Sequence, residues 1–292
     1  MYESFEIFGL SLTIGALATF SPILLGLAGN HYLTKNITLY LVALSVVVAL
    51  YCGLLTNISL PAIVMLGLAC FYFNHSDSLK IKYTSGLLVF VGSVIFLLHI
   101  VPGFNNAIAI HDFQVSEYAP LFTKYLNLDK AILGLLLLTF VVPKAQQVGL
   151  NNGIKVGILF SVCAGLSFAY AYATGLISYD PKISSIFIGW MITNLFLTCY
   201  VEEVFFRGFV QQQMQNISAK PYWQVCSILL SGVLFGLAHF SAGQTYTLVA
   251  SIMGTVYAYS YYKTQNIYVP ISIHFVFNLI HFIFFTYPFN IN

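Results

Sequence analysis

Residues 183–213 read ISSIFIGWMITNLFLTCYVEEVFFRGFVQQQ, a predicted helix that places two carboxylates and one arginine among apolar side chains. Arg207 is the only arginine among the 292 residues of the chain. Ionisable groups inside a membrane helix are costly, and they usually face a protein interior or a water-filled cavity that serves a function. Glu202, Glu203 and Arg207 therefore indicate both the class of fold and the position of a functional site.

The rest of the chain has the composition of an integral membrane protein. Hydrophobic residues make up 59% of it and charged residues only 7%. Apolar runs of about 17 to 25 residues, long enough to cross a bilayer as helices, recur along nearly the whole length. We therefore expect an all-α fold, a polytopic helical bundle in the membrane. The segment before the first run lacks basic residues, so we expect that run to be retained as a helix.

Hydropathy, interrupted at Gly, Pro, Asn and Lys positions, predicts about ten transmembrane helices. Their expected ranges are Ile7–Ala28, Ile37–Thr56, Ile58–Phe73, Tyr83–Val101, Ala131–Gly149, Ile154–Ile177, Ile183–Gln213, Tyr222–His239, Thr245–Tyr262 and Ile267–Thr286. The third range is short and the fifth is interrupted at Pro143. Either of these two could be a re-entrant segment instead of a full crossing.

The longest polar interval, residues 102–130, divides a predicted N-terminal four-helix region, residues 1–101, from a six-helix region, residues 131–292. Short cytoplasmic loops are enriched in Lys and Arg. With ten helices, one side of the membrane collects Lys35, Lys80, Lys82, Lys144, Lys155, Lys220 and Lys263, and the other collects Lys124, Lys130 and Lys182. We expect the larger group to be cytoplasmic, and the polar interval and both termini to be extracytoplasmic.

Several kinds of site have no support in the sequence. The chain has no internal repeat and no dense basic patch, and its net charge is only +2, so we expect no nucleic-acid partner. The cysteines are odd in number, dispersed and without a Cys-x-x-Cys pair: Cys52, Cys70, Cys163, Cys199 and Cys226. Neither a disulfide framework nor a thiolate zinc site is expected, and we interpret these side chains as small packing residues.

A helical wheel separates Glu202 from the other two charged residues of this segment. Glu203 and Arg207 are four positions apart, which places them on one helix face and predicts an intrahelical ion pair. Glu202 lies roughly 140° around an α-helix from Arg207, so its carboxylate is expected to point into a different space.

Two later segments carry histidines on predicted helices. Phe235 precedes His239 by four positions, and His274 precedes Asn278 by four, so the last two side chains project from one helix face. At about 1.5 Å of rise per residue, Glu202, His239 and His274 can all reach the cytoplasmic half of the bilayer. The spacing permits one cluster that contains a carboxylate and two imidazoles.

In these residues the chain resembles the CAAX-protease and bacteriocin-processing (CPBP, or Abi) family of glutamate-type intramembrane endopeptidases, which includes the type II CAAX prenyl proteases. The family motif EExxxR corresponds to Glu202, Glu203 and Arg207. The motif FxxxH corresponds to Phe235 and His239, and HxxxN to His274 and Asn278. The resemblance covers roughly residues 154–286 and leaves the first four predicted helices without a counterpart.

The resemblance implies a role for each of these residues. Glu202 would be the general base that activates a water molecule, with His239 helping to orient and deprotonate that water. His274 and Asn278 would donate hydrogen bonds to the oxyanion, and Glu203, Arg207 and Phe235 would support the site. The resemblance implies no metal and no cofactor. A carboxylate in a low-dielectric cavity is a more effective base than one in water, which suits Glu202 to this role.

Alternatives to a glutamate protease stay open at the level of sequence. One Glu and two His could ligate a catalytic zinc, although the chain lacks His-Glu-x-x-His. The polar residues could form a purely structural network between helices. The chain could also be a non-catalytic, peptide-binding protein for bacteriocin immunity or export. A proton-coupled transporter is a further alternative, but no inverted repeat supports it.

The expected partners are a membrane-associated protein or peptide substrate, such as a C-terminal tail, and the lipid bilayer. The sequence does not choose among prenylated tails, bacteriocin precursors and sorting segments. The compact loops and the absence of sorting signals favour a prokaryotic plasma membrane.

Overall fold

The computed structural model describes residues 4–7, 10–30 and 32–290, and over these residues the fold is all-α with two small two-stranded sheets. The strands are β1 (Ser4–Ile7), β2 (Leu10–Thr13), β3 (Ala107–Phe113) and β4 (Phe122–Leu126). The first helices are α1 (Ile14–Gly29), α2 (Lys35–Tyr51), α3 (Leu60–His75), α4 (Leu79–Leu97), α5 (Leu128–Phe140) and α6 (Leu150–Ala173).

The stretch that carries the charged triplet is helical from Phe187 to Ile217, but not α-helical throughout. It comprises α7 (Phe187–Asn194), the π-helical segment π1 (Leu195–Cys199), α8 (Tyr200–Glu203), the π-helical segment π2 (Val204–Gln211) and α9 (Gln212–Ile217). The last helices are α10 (Pro221–Leu237), α11 (Gln244–Thr264) and α12 (Tyr268–Phe284).

Local sequence signals explain where several helices begin. Thr13 and Thr34 have extended backbones and accept hydrogen bonds from Ala16 N and Ile37 N, so they cap α1 and α2. Helices α3 and α10 have a proline in the first turn, where its missing N–H costs nothing. The helix starts therefore follow from residues that are visible in the sequence.

Most predicted spans differ from the observed helices by a few residues at their ends, and two differ more. The first does not begin at Ile7, because β1 pairs antiparallel with β2 and α1 starts only at Ile14. The fifth ends at Phe140, three residues before Pro143, and residues 143–149 are not helical. Proline disfavours a helical backbone in the residue before it, which agrees with that early end. The 13 residues of α5 rise only about 20 Å, less than the hydrocarbon thickness.

Apolar helices of membrane-spanning length are present. Among the described residues three are long and apolar enough to cross a bilayer, namely Asn57–His75, Leu79–Leu97 and Leu150–Ala173. Shorter apolar helices occupy Ile14–Gly29, Lys35–Tyr51, Pro221–Leu237 and Tyr268–Phe284. These helices agree with a membrane protein, whereas a total of ten transmembrane helices stays a prediction.

The chain divides into two compact units. Unit 1 comprises Met1–His111, Thr123–Pro143 and Ile186–Phe205, and unit 2 comprises Asp112–Phe122, Lys144–Ser185 and Phe206–Asn292. In unit 1, α5 is central: it contacts α1, α2, α3, α4 and α8, and it is buried along nearly its whole length. In unit 2, α11 packs against α6, α10 and α12.

Unit 1 holds a polar anchor at the start of α5. The Asp129 carboxylate, 1% exposed, lies 2.6 Å from His99 Nδ1 and accepts a hydrogen bond from the Lys130 backbone N–H. A buried carboxylate needs such partners, since a charge without them would be costly in the interior. The same unit contains an apolar cavity of about 180 Å³ beside α1 and β2, which Leu126, Ile192 and Leu197 also line.

In unit 2 the backbones of α10 and α11 approach closely at three glycines. A Cβ atom at Gly232 would lie 2.7 Å from Thr255 N, and one at Gly236 would lie 2.7 Å from Thr247 O. A Cβ at Gly254 would lie 3.0 Å from Gly232 O. Small residues allow helices to pack at such short range in membranes.

We expect Gly232→Ala to separate α10 from α11. The added methyl group would overlap the Thr255 backbone, which no rotamer change can relieve, so we expect a loss of about 3 kcal/mol in the free energy of unfolding. Thermal unfolding in detergent measures this loss. Gly165→Ala in α6 is the control, because a methyl group there meets open space and alanine favours a helix. Equal stability of the two variants would contradict the close packing.

Candidate active site

The two glutamates lie between two π-helical segments. Glu202 and Glu203 end α8, with π1 before that helix and π2 after it. Backbone hydrogen bonds in a π-helix run from residue i to i+5, and such segments often occur at functional sites. The predicted wheel angle between Glu202 and Arg207 assumed α-helical rotation throughout. It does not apply here, because every residue from 204 to 207 is π-helical.

Unit 1 positions both carboxylates through the contact of α8 with α5. Glu203 is fully buried, and Glu202 is half-buried. A Cβ atom at Gly134 of α5 would lie 3.0 Å from Val201 Cγ2, so the residue before Glu202 sits tightly against α5. The helix that carries the glutamates is therefore fixed by packing, which limits their freedom.

A lysine from β4 also belongs to this part of unit 1. Lys124 Nζ donates a hydrogen bond of 2.9 Å to Thr198 Oγ1 in π1, four residues before Glu202. Burial and, to a smaller extent, the charge of Lys130 lower the pKa of Lys124, whereas Glu202 and Cys199 raise it, and the net result is a pKa of about 8. The sequence alone gave no reason to single out Lys124, because it contacts a residue 74 positions away.

Unit 2 encloses the arginine of the first motif. Arg207 is fully buried, and its Nη2 donates a hydrogen bond of 2.8 Å to Gly254 O. The guanidinium carbon lies 4.5 Å from the ring centroid of Phe235, 5.5 Å from that of Tyr257 and 5.7 Å from that of Phe206. These rings stabilise the cation by cation–π attraction, which is stronger where water is excluded.

The next turn repeats this contact. Gln211 Nε2 donates a hydrogen bond of 2.9 Å to Ala258 O. Arg207 and Gln211 are four residues apart, as are their acceptors Gly254 and Ala258. The two bonds therefore fix the position of π2 along the axis of α11. The two helical segments run in the same direction.

Phe235 is the centre of the candidate site in unit 2. Its ring centroid lies 4.8 Å from that of His239 and 5.5 Å from that of His274. His274, 4% exposed, also stacks on Tyr257 with centroids 4.8 Å apart. Unit 2 thus brings three of the predicted residues, Arg207, His239 and His274, together around the ring of a fourth, Phe235.

The hydrogen bond of His239 decides which ring nitrogen carries a proton. His239 Nδ1 lies 2.8 Å from the Phe235 backbone O, and a carbonyl oxygen can only accept. Neutral His239 is therefore protonated at Nδ1, and its Nε2 is an acceptor. His239 lies two residues beyond the end of α10, in the turn before α11, and it is half-buried, so Nε2 suits contact with a water molecule or an acid.

The remaining predicted residues are distributed between the units. Asn278 lies in α12 one turn beyond His274, on the same helix face, and is half-buried. Glu202 and Glu203 belong to unit 1, whereas Arg207, Phe235, His239, His274 and Asn278 belong to unit 2. The convergence of Glu202 with the imidazoles and the ion pair of Glu203 with Arg207 stay predictions.

A metal site was the alternative for the same residues. Over residues 4–7, 10–30 and 32–290, no group of three or more His, Cys, Asp or Glu side chains is arranged to hold a metal ion. A chelation experiment on the purified protein tests whether its activity depends on a metal.

A family model matches the segment that contains the site. Residues 184–280 match the model described as type II CAAX prenyl endopeptidase Rce1-like. All three motifs, from Glu202 to Asn278, lie inside the match, whereas α1 to α4 lie outside it. No curated protein and no solved structure matches the chain. The family match confirms the resemblance to the CPBP family that the motifs predicted.

Proposed function

From the CPBP-family segment at residues 184–280, we propose that this membrane protein is an intramembrane endopeptidase. It hydrolyses a peptide bond of a membrane-associated protein or peptide with a glutamate-activated water molecule. The observation that carries the proposal is the cluster of Arg207, His239 and His274 around Phe235, inside the matched segment. Family membership supports the reaction class, and the cluster supports the assignment of residues.

In the proposed reaction Glu202 is the general base. Its carboxylate takes a proton from water, and the hydroxide oxygen bonds to the carbonyl carbon of the scissile amide. The carbonyl π electrons move to oxygen and form a tetrahedral oxyanion. When the C–N bond breaks, the proton returns from Glu202 to the leaving nitrogen. His239 assists through Nε2, which accepts a hydrogen bond from the same water.

His274 and Asn278 are the proposed donors to the oxyanion. Their side chains share one face of α12, and the His274 ring is fixed by its contacts with Tyr257 and Phe235. A donor held in place before the reaction needs no reorganisation when charge develops, which makes it effective in the transition state. The buried Arg207 and Glu203 support the helix that carries Glu202, and no metal or other cofactor takes part.

We expect His274→Ala and Asn278→Ala each to lower kcat by about 10²- to 10³-fold with little change in KM. The ground-state carbonyl interacts weakly with these donors, whereas the oxyanion depends on them. Steady-state kinetics on purified protein measures both constants. His75→Ala, at an exposed position in α3, is the control. A rise in KM with unchanged kcat would instead assign His274 or Asn278 to substrate binding.

The proposed substrates are membrane-associated proteins or peptides, and we propose no nucleic-acid partner. The name of the matched family, a prenyl endopeptidase, makes an internally quenched peptide with a prenylated C-terminal cysteine tail the first substrate to assay. The proposed location is a prokaryotic plasma membrane.

Mass spectrometry of membrane peptides tests the function directly. Membranes from cells with the native protein are compared with membranes from cells that lack it. We expect peptides with one new terminus only where the native protein is present, which identifies the substrate and the cut site together. Identical peptide profiles, together with an unchanged immunity or export phenotype for Glu202→Gln, would support a non-catalytic peptide-binding protein.

Chelation separates the glutamate mechanism from a zinc hydrolase. We expect purified activity to persist after dialysis against 1,10-phenanthroline, because the proposed base is a carboxylate. Loss of activity that added zinc restores would overturn the metal-independent mechanism and favour zinc.

A further inference from the structure

Lys124 connects strand β4 to the helix that carries the proposed base. Its ammonium donates a hydrogen bond of 2.9 Å to Thr198 Oγ1, and Thr198 precedes Glu202 by four residues. Lys124, Thr198 and Glu202 all belong to unit 1, and Lys124 is half-buried. A lysine side chain is long, and fixing it in one rotamer costs conformational entropy. A favourable interaction beside π1 must offset that cost.

Three charged or titratable groups of the described residues act on the charge of Lys124. They are the Lys130 ammonium, the Glu202 carboxylate and the Cys199 thiol. Lys130 repels the Lys124 charge, and burial also disfavours it, whereas Glu202 favours it. Since these effects leave the pKa of Lys124 at about 8, the side chain is mainly a cation at neutral pH. Glu202 is therefore the carboxylate that offsets the buried cation, with a smaller effect from Cys199.

We propose that Lys124 is a positioning residue for Glu202: held by Thr198, it supplies the positive charge that keeps the general base ionised and oriented. The inference rests on the proposed function, because it assigns Lys124 a task in the same reaction. A cation near a carboxylate favours the ionised form, and only that form can accept a proton from water. Lys124 thus extends the pH range over which Glu202 acts as a base.

The pH dependence of kcat/KM tests this role. The assay uses full-length protein in liposomes and whichever peptide the native protein cleaves, the prenylated-cysteine peptide or the one identified in membranes. In Lys124→Met we expect the acid limb of the profile to move up by about one pH unit, with alkaline kcat/KM within about twofold of native. Lys124→Arg should keep the native limb, since it retains the charge. Lys82→Met, exposed on α4, should also leave the limb unchanged.

A second variant allows the same test if Lys124→Met does not fold. Thr198→Val removes the hydroxyl that holds the Lys124 ammonium and keeps the shape of the side chain. We expect a shift of the acid limb in the same direction, smaller than in Lys124→Met. Should Lys124→Met fail to fold, Thr198→Val decides. Acid limbs that superimpose on the native one in every folded variant would overturn the inference.

Glu202→Gln distinguishes this failure from failure of the proposed function. If Glu202→Gln cleaves the peptide at the native rate, the proposed function is wrong and Lys124 has no base to position. If Glu202→Gln is inactive while Lys124→Met and Thr198→Val keep the native pH profile, only the role of Lys124 is wrong.

Discussion

Glu202→Gln is expected to lower kcat by about 10³-fold or more, toward the uncatalysed rate. Glutamine has nearly the shape of glutamate but cannot take a proton from water. The half-buried position of Glu202 tolerates an uncharged amide, so the variant should fold. Single-turnover cleavage of a quenched peptide by purified protein in liposomes gives the rate, and thermal unfolding confirms the fold.

Glu117→Gln is the matched control for this substitution. Glu117 is exposed in the segment between β3 and β4, and the same change of charge there should leave kcat unaltered. Should folded Glu202→Gln retain more than about a tenth of native kcat, the assignment of the general base would be wrong. A loss of activity in both variants would point to net charge instead of a specific carboxylate.

Arg207→Met is expected to lower the free energy of unfolding by about 3 kcal/mol, because it leaves the buried Gly254 carbonyl without its donor and removes the cation–π contacts. Methionine replaces the volume in part but cannot donate to Gly254 O. It also loses the cation that Phe235 and Tyr257 enclose. Chemical unfolding in detergent, followed by tryptophan fluorescence, measures the change.

Two further variants interpret that measurement. Arg207→Lys keeps a positive charge but lacks the planar guanidinium that stacks on aromatic rings, so an intermediate loss is expected. Lys155→Met, at an exposed position in α6, removes a charge where burial plays no part and should change stability little. Equal unfolding of Arg207→Met and the native protein would show that the buried contacts contribute nothing to stability.

The helices of the matched segment were largely predictable, and the physical reasons are local. Pro221 marks the start of α10, and the polar residues after Thr264 mark the end of α11. Apolar side chains between such signals favour a helix when the run is long. Phe235 lies in α10, and His274 and Asn278 lie in α12, as the motif spacing predicted. His239, by contrast, follows the end of α10 at Leu237 and lies in the turn before α11.

Other features depended on contacts between distant residues. Residues 4–7 pair with residues 10–13 as antiparallel strands, because short apolar runs suit a strand as well as a helix and pairing decides between them. The π-helical segments before and after α8 have no signal in the hydropathy pattern, which has the same apolar character there as in the α-helices. The contact of Lys124 with Thr198 likewise joins parts of the chain that are far apart in sequence.

The paired bonds of Arg207 and Gln211 to the Gly254 and Ala258 carbonyls have a mechanical consequence. A shift of π2 along α11 would break both hydrogen bonds at once. The two fully buried donors would then have no acceptor in an apolar environment. The two bonds therefore oppose displacement of residues 207–211 along the axis of α11, and they keep the guanidinium of Arg207 at a fixed height beside Phe235 and Tyr257.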